Sequence, residues 1–128
     1  MFGEPSGEEV RKALAAADVV VASDLTLVEC DRVLIRAHTS RELSEAQSAD
    51  LRARLNAAAA HWNILHIDAS VVDRARRPFP VEPIRTLDAL HLASALVARA
   101  AIAGLTVLTL DTRIRGAARQ LGLTTLPA

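Results

Sequence analysis

The sequence predicts an α/β domain with helices on both faces of a largely parallel sheet, and three observations carry that expectation. Short, β-branched apolar runs alternate along the chain with segments whose apolar residues recur at helical spacing, the pattern that calls for right-handed crossovers and parallel strands. The steps from strand to helix take only a few residues. At 128 residues, 51% of them hydrophobic, the chain has the size and apolar content of one compact domain with its own core.

The elements follow in order. Ser6 and Glu9 have the spacing of a capping box, and Val10, Ala13, Leu14 and Ala17 continue at helical period, so a first helix is expected from about Gly7 to Ala17. Val19 to Ala22 is short, β-branched and apolar, as a strand buried on both faces should be. Thr26 and Glu29 repeat the capping-box spacing and predict a helix to about Ala37. Thr39 and Glu42 do so again, ahead of a longer helix that runs through an alanine-rich stretch to about Trp62. A second strand is expected over Asn63 to Asp68, followed by a short helix capped by Ser70 and Asp73. Pro78, Pro80 and Pro83 then forbid regular structure to about Arg85. Thr86 begins a strongly apolar helix, Leu87 to about Ala103, closed by Gly104. Leu105 to Leu110 reads as a third strand, Thr112 to Leu121 as a last helix ended by Gly122, and Leu123 to Leu126 as a final short strand. The whole of 1–128 is expected to be a single domain, without repeats or linkers.

Composition excludes several function classes. The net charge of +0 lacks the overall basic excess of a general nucleic-acid binder, although a local patch is compatible with it. Fourteen of the fifteen basic residues are arginine, which suits bidentate phosphate contacts and equally suits a GC-rich codon bias. Phe2, Trp62 and Phe79 are too few aromatics for a base-stacking platform, so any nucleic acid would be held mainly by its backbone. Cys30 stands alone and no Cys/His cluster has zinc spacing, which excludes an internal disulfide and structural zinc. No apolar run is long enough for a membrane span, and Met1 to Arg11 lack the apolar stretch of a signal peptide, so the expected location is cytoplasmic.

Three acids are placed where the chain leaves a strand or opens a helix. Glu29 falls in the first turn after the first strand, Asp88 in the first turn of the apolar helix, and Asp111 at the end of the third strand. Ligand sites of parallel sheets lie beyond the carboxyl ends of the strands, and carboxylates gathered there repel one another unless a hard dication, Mg²⁺ or Mn²⁺, offsets the charge. Such an ion can polarise a phosphoryl oxygen and stabilise a leaving oxygen in phosphodiester hydrolysis. Each acid also has an ordinary reading: Glu29 as the third residue of a capping box, Asp88 as an anion favoured by a helix N-terminus, Asp111 as an N-cap. Spacing alone leaves both readings open.

The words around the acids are more specific. Ala22-Ser23-Asp24-Leu25-Thr26-Leu27-Val28-Glu29, then Thr86-Leu87-Asp88-Ala89-Leu90-His91-Leu92-Ala93-Ser94-Ala95, then Val107-Leu108-Thr109-Leu110-Asp111 with Ala117-Ala118 and Leu121-Gly122-Leu123 resemble, in order, the blocks of VapC-type PIN domains. The central block is the most specific, and the set covers about Ala22 to the C-terminus. The resemblance implies a PIN-like three-layer α/β/α fold and a metal-dependent endoribonuclease, usually the toxin of a toxin–antitoxin pair. It also implies Mg²⁺ or Mn²⁺ bound by four acids, of which Glu29, Asp88 and Asp111 match the second, third and fourth. RNA as substrate, a cognate antitoxin and a homodimer are the partners it implies.

The departure is at the front. Family members open with a strand and an Asp-Thr-Ser-type turn that supplies the first acid, and this sequence starts about where they read like Phe2 to Val10. By resemblance the central strand of a five-stranded sheet is missing. A start codon placed too far downstream is the favoured explanation, and a variant that rearranges its sheet or borrows structure from a partner is the other. The expectation is a three-acid remnant with weak or absent nuclease activity; the alternative is a catalytically inactive interaction or scaffold module whose acids serve as caps. His91 is expected to be packed beside the site rather than a ligand, and His38, His61 and His66 to be surface or boundary residues. Arg113 and Arg115 read as a solvated helix start that could meet a phosphate. Asp24 and Glu4 have no spacing that assigns them the place of the absent acid.

Overall fold

The computed structural model describes residues 12–17, 19–109 and 111–126, which fall into two compact units. A helical-pair unit spans Val19–His66; a core unit takes residues from Ile67 onward together with the N-terminal residues 12–17. Residues 12–16 are helical (α1), within the expected first helix, whose proposed cap at Ser6 and Glu9 lies outside the described residues.

In the helical-pair unit, β1 (Val21–Ser23) pairs in parallel with β2 (Asn63–Leu65), with Val21 opposite Asn63 and Ser23 opposite Leu65. Parallel neighbours need a long crossover. Here α2 (Asp24–Thr39) and α3 (Glu45–Ala59), which pack on each other, supply it. The start of α2 corrects the expected cap. Ser23, extended at φ −96° and ψ 162°, is the N-cap, and its Oγ accepts the Thr26 N–H at 3.2 Å. A residue leaving a strand already has the backbone conformation that an N-cap requires, so the helix starts at once and Thr26 falls inside it. Glu29 is therefore the sixth residue of α2 and no part of a capping box.

The second cap also moves. The helix continues through the expected Thr39 start; Ser40 Oγ donates to the Ala37 carbonyl at 3.2 Å, and Arg41 at φ 65° turns the chain away. The capping box lies at Ser44 instead, where the Gln47 N–H donates to Ser44 Oγ at 3.1 Å and the Ser44 N–H donates to Gln47 Oε1 at 2.9 Å. Ser44→Ala is expected to lower stability by about 1 kcal/mol in urea unfolding, whereas Thr39→Ala should change it by less than about 0.5 kcal/mol.

The core unit begins with α4 (Ala69–Ala75), capped by Asp68, whose carboxylate accepts the Val71 N–H at 3.2 Å. The expected Ser70 cap is two residues late because the strand stops at Leu65 rather than Asp68. After the proline loop comes α5 (Thr86–Ala101), then β3 (Thr106–Leu108), α6 (Thr112–Gln120) and β4 (Thr124–Leu126), parallel to β3. Gly104 and Gly122 take φ of 74° and 78°, the left-handed conformation that favours glycine at these turns. The core is built on α5: Leu92 and Ala93 are fully buried, and Phe79, Ala89, Ala117, Ala118 and Leu123 close around Leu92. Alanine on both α5 and α6 lets the two helices approach closely. Strands and helices alternate as expected, and both ladders are parallel, one pair in each unit among the described residues. In the helical-pair unit Ser23 is the one buried residue described, and Val28 and Val33 stay more than half exposed.

Candidate functional site

Asp88 and Asp111 belong to the core unit and Glu29 to the helical-pair unit. Among the described residues no three His, Cys, Asp or Glu side chains are grouped so as to hold a metal ion. Each acid is set by its own piece of local structure, and those settings decide what its oxygens can do.

Asp88 is the third residue of α5, half-buried. The N-cap, Arg85, makes no side-chain bond to the helix start, and the Asp88 carboxylate receives no hydrogen bond from any described residue. It lines an open groove of about 580 Å³ with Val81, Pro83 and Arg85 from the loop and Thr112 and Arg113 from the first turn of α6. Two helix N-termini therefore border the groove, and each carries a partial positive charge that favours an anion.

Asp111 is the N-cap of α6, as its ordinary reading expects. Its Oδ1 accepts the N–H of Arg113 at 2.8 Å and of Ile114 at 3.3 Å, and the Arg113 Nε lies 3.9 Å from the same oxygen. The cap thus uses one carboxylate oxygen. Oδ2 has no hydrogen-bond partner among the described residues, so capping and a second function are compatible in this side chain.

Glu29 is half-buried on α2, beside Cys30. Burial first, then the negative charges of Asp31 and Glu29, pushes the Cys30 thiol above its usual range. The folded thiol then holds its proton to higher pH than the unfolded one. Its contribution to stability is complete below the unfolded value, about pH 8.5, and is lost as pH rises through the folded value. Ellman-type labelling at pH 8 is expected to be slower in the native protein than in urea.

Of the other singled-out residues, His91 is half-buried on α5, His38 and His61 are exposed, and Glu4 lies outside the described residues. Arg115 is not a solvated residue: its Nη2 donates to the Thr109 carbonyl at 3.0 Å, tying α6 to the end of β3. Arg113 remains exposed at the groove. The sequence reading missed the pairing of His66. Its Nδ1 lies 3.0 and 3.1 Å from the two carboxylate oxygens of Asp24, with the side chains 80% and 45% exposed. The signal was present, since Asp24 and His66 each directly follow the last residue of one of two paired parallel strands. An exposed pair of this kind contributes little to stability.

Comparison with known proteins agrees with this architecture. The family model for the PIN domain matches residues 1–120. Ribonuclease VapC46 of Mycobacterium tuberculosis (strain ATCC 25618 / H37Rv) is 35% identical over 120 residues, covering 94% of this chain and 82% of that protein. With a family model spanning nearly the whole chain and a relative aligned along most of its length, the chain belongs to the PIN-domain family, in its VapC branch.

Proposed function

We propose that the chain is a metal-dependent endoribonuclease, the toxin of a toxin–antitoxin pair, acting as one cytoplasmic PIN domain with Glu29, Asp88 and Asp111 as its carboxylate ligands. The relative named Ribonuclease VapC46 supports RNA hydrolysis as the reaction. The observation that carries the site is the Asp88 groove: a half-buried carboxylate without a hydrogen bond among the described residues, facing the helix start that Asp111 caps with only one of its oxygens.

This donor set fits a hard dication, because it offers oxygen atoms and no competing sulfur, and such ions accept one or two carboxylates while keeping several waters. Asp88 and Asp111 Oδ2 would hold Mg²⁺ or Mn²⁺ from the core unit, and Glu29 is the third ligand of the proposal. When bound, the ion supplies charge stabilisation at the phosphodiester. Arg85 and Arg113, lining the groove beside Asp88, would hold the phosphate by bidentate hydrogen bonds. A homodimer and a bound antitoxin are proposed partners, and the exposed Val28, Val33 and Ile35 of α2 offer apolar surface for one of them.

The test pairs a binding measurement with an activity. Mn²⁺ is titrated by electron paramagnetic resonance, and structured RNA is incubated with Mn²⁺ or with EDTA. Saturable Mn²⁺ binding and EDTA-sensitive cleavage support the proposal. A second reading is a catalytically inactive interaction module, favoured by the cap that Asp111 makes at the start of α6. Neither Mn²⁺ binding nor cleavage is expected in that case.

A further inference from the structure

From Arg74 to Arg85 the sequence holds four arginines and a single glutamate, in a chain whose net charge is +0. The backbone that carries them is fixed. Pro78, Pro80 and Pro83 restrict it, Phe79 is anchored in the core at 5% exposure, and the Glu82 carboxylate accepts the N–H groups of Phe79 at 2.8 Å and Ile84 at 2.7 Å. Arg74 is consumed internally: Nη1 donates to the carbonyls of Arg77 and Pro78 at 3.4 and 3.3 Å, and its guanidinium lies 4.3 Å from the Phe79 ring centroid.

Arg76, Arg77 and Arg85 are different. All three are exposed, and their guanidinium groups make no hydrogen bond or ion pair with any described residue. The carboxylate within the turn, Glu82, spends both oxygens on backbone amides, and Asp73 and Asp88 form no ion pair with these arginines among the described residues. Arg76 and Arg77 line a shallow concavity of about 350 Å³, and Ile84, which borders it, also borders the Asp88 groove together with Arg85. Two adjacent guanidiniums on a rigid turn therefore stand next to the groove that holds the candidate acid.

We propose that the Arg76–Arg77 turn is the anchor for the sugar-phosphate backbone of the RNA, gripping the strand beside the Asp88 groove. The proposal rests on the nuclease reading and adds the part of the molecule that holds substrate away from the cut. Guanidinium groups pair bidentately with phosphate, and uncommitted ones need no existing bond to be broken first. The only aromatic of the segment, Phe79, is buried beneath Arg74, so no ring is offered for base stacking and the grip reads phosphates rather than sequence. The same burial of Phe79 and Ala89 leaves this concavity without a large apolar anchor of the sort that protein partners use.

The experiment is fluorescence anisotropy of a short fluorescein-labelled single-stranded RNA, titrated in EDTA with the full chain over a range of salt. In the double variant R76A/R77A, affinity at low salt is expected to fall about tenfold or more, and the slope of log K against log salt to fall by about 0.7 for each phosphate no longer neutralised. R76K/R77K, which keeps the charges, should recover the salt slope and part of the affinity. Both side chains are exposed, so thermal unfolding should be unchanged and serves as the folding control. Unchanged RNA affinity and salt slope in R76A/R77A would overturn the anchor and leave the nuclease reading standing. Arginine-dependent RNA binding without Mn²⁺-dependent cleavage would keep the anchor and remove the nuclease reading. A wild-type chain that binds no RNA, or binds only polyglutamate through these arginines, overturns the assignment of RNA as the ligand.

Discussion

Asp88→Asn is expected to lower Mn²⁺-dependent RNA cleavage by about a hundredfold or more, a loss of about 2.7 kcal/mol in transition-state stabilisation, and to weaken Mn²⁺ binding with it. Asparagine keeps the size of the side chain and removes the charge that a hard dication requires. The cost to the fold is small. The Asp88 carboxylate makes no hydrogen bond to the described residues, so the change removes only its interaction with the N-terminal dipole of α5, about 0.3 to 1 kcal/mol. Asp111 allows the same separation by a different route. Asparagine caps helices as well as aspartate does, so Asp111→Asn should keep the α6 cap and lose activity, whereas Asp111→Ala should also lose about 1 kcal/mol of stability. If both asparagine variants cut RNA as fast as the wild type, neither carboxylate takes part in the reaction.

Leu92→Ala is expected to destabilise the protein by about 3 to 4 kcal/mol, the range for removing a buried leucine with incomplete collapse of the cavity. Leu92 is 1% exposed and is packed among Phe79, Ala89, Ala117, Ala118 and Leu123. The buried members of its cluster on α5 and α6, Ala89, Ala117 and Ala118, are alanines, which have no flexible side chains to fill the space. A domain of this size has a total stability of about 5 to 15 kcal/mol, so the loss is a large fraction of the whole. Urea unfolding should show a lower midpoint with unchanged slope. Val28→Ala is the contrast: Val28 is 55% exposed, and its truncation should change the monomer's stability by less than about 0.5 kcal/mol. Because Leu92 also lines the Asp88 groove, cleavage should decline in the leucine variant even where the protein remains folded.

The caps show where local sequence is a poor guide. Thr26, Thr39 and Ser70 each stand three residues before an acid, the arrangement of a capping box, yet the caps used are Ser23, Ser44 and Asp68. A cap needs extended backbone at its own position, and where Ser, Thr and Asp occur in succession that conformation is set by where the preceding strand or turn ends. The strands were shorter than their apolar runs for a related reason. Hydrogen-bonded pairing extends only as far as a partner strand runs alongside, and both ladders pair three residues with three. Asp111, by contrast, was legible as a cap because it directly follows the apolar run Leu105 to Leu110 and immediately precedes the helical run.

The alternation of strands and helices, the burial of α5, the proline loop and the glycines that end turns were all written in the sequence, because apolar periodicity and the backbone limits of proline and glycine act over a few residues. The words around Glu29, Asp88 and Asp111 carried the family in the same local way. Only the tertiary structure decided that Asp111 caps with one oxygen, that Asp88 faces a groove, that Arg115 is tied to the backbone while Arg76 and Arg77 are not, and that His66 meets Asp24. Those outcomes depend on which side chains packing brings within about 3 Å of one another, and residues 42 apart along the chain, such as Asp24 and His66, become neighbours only when the parallel ladder forms.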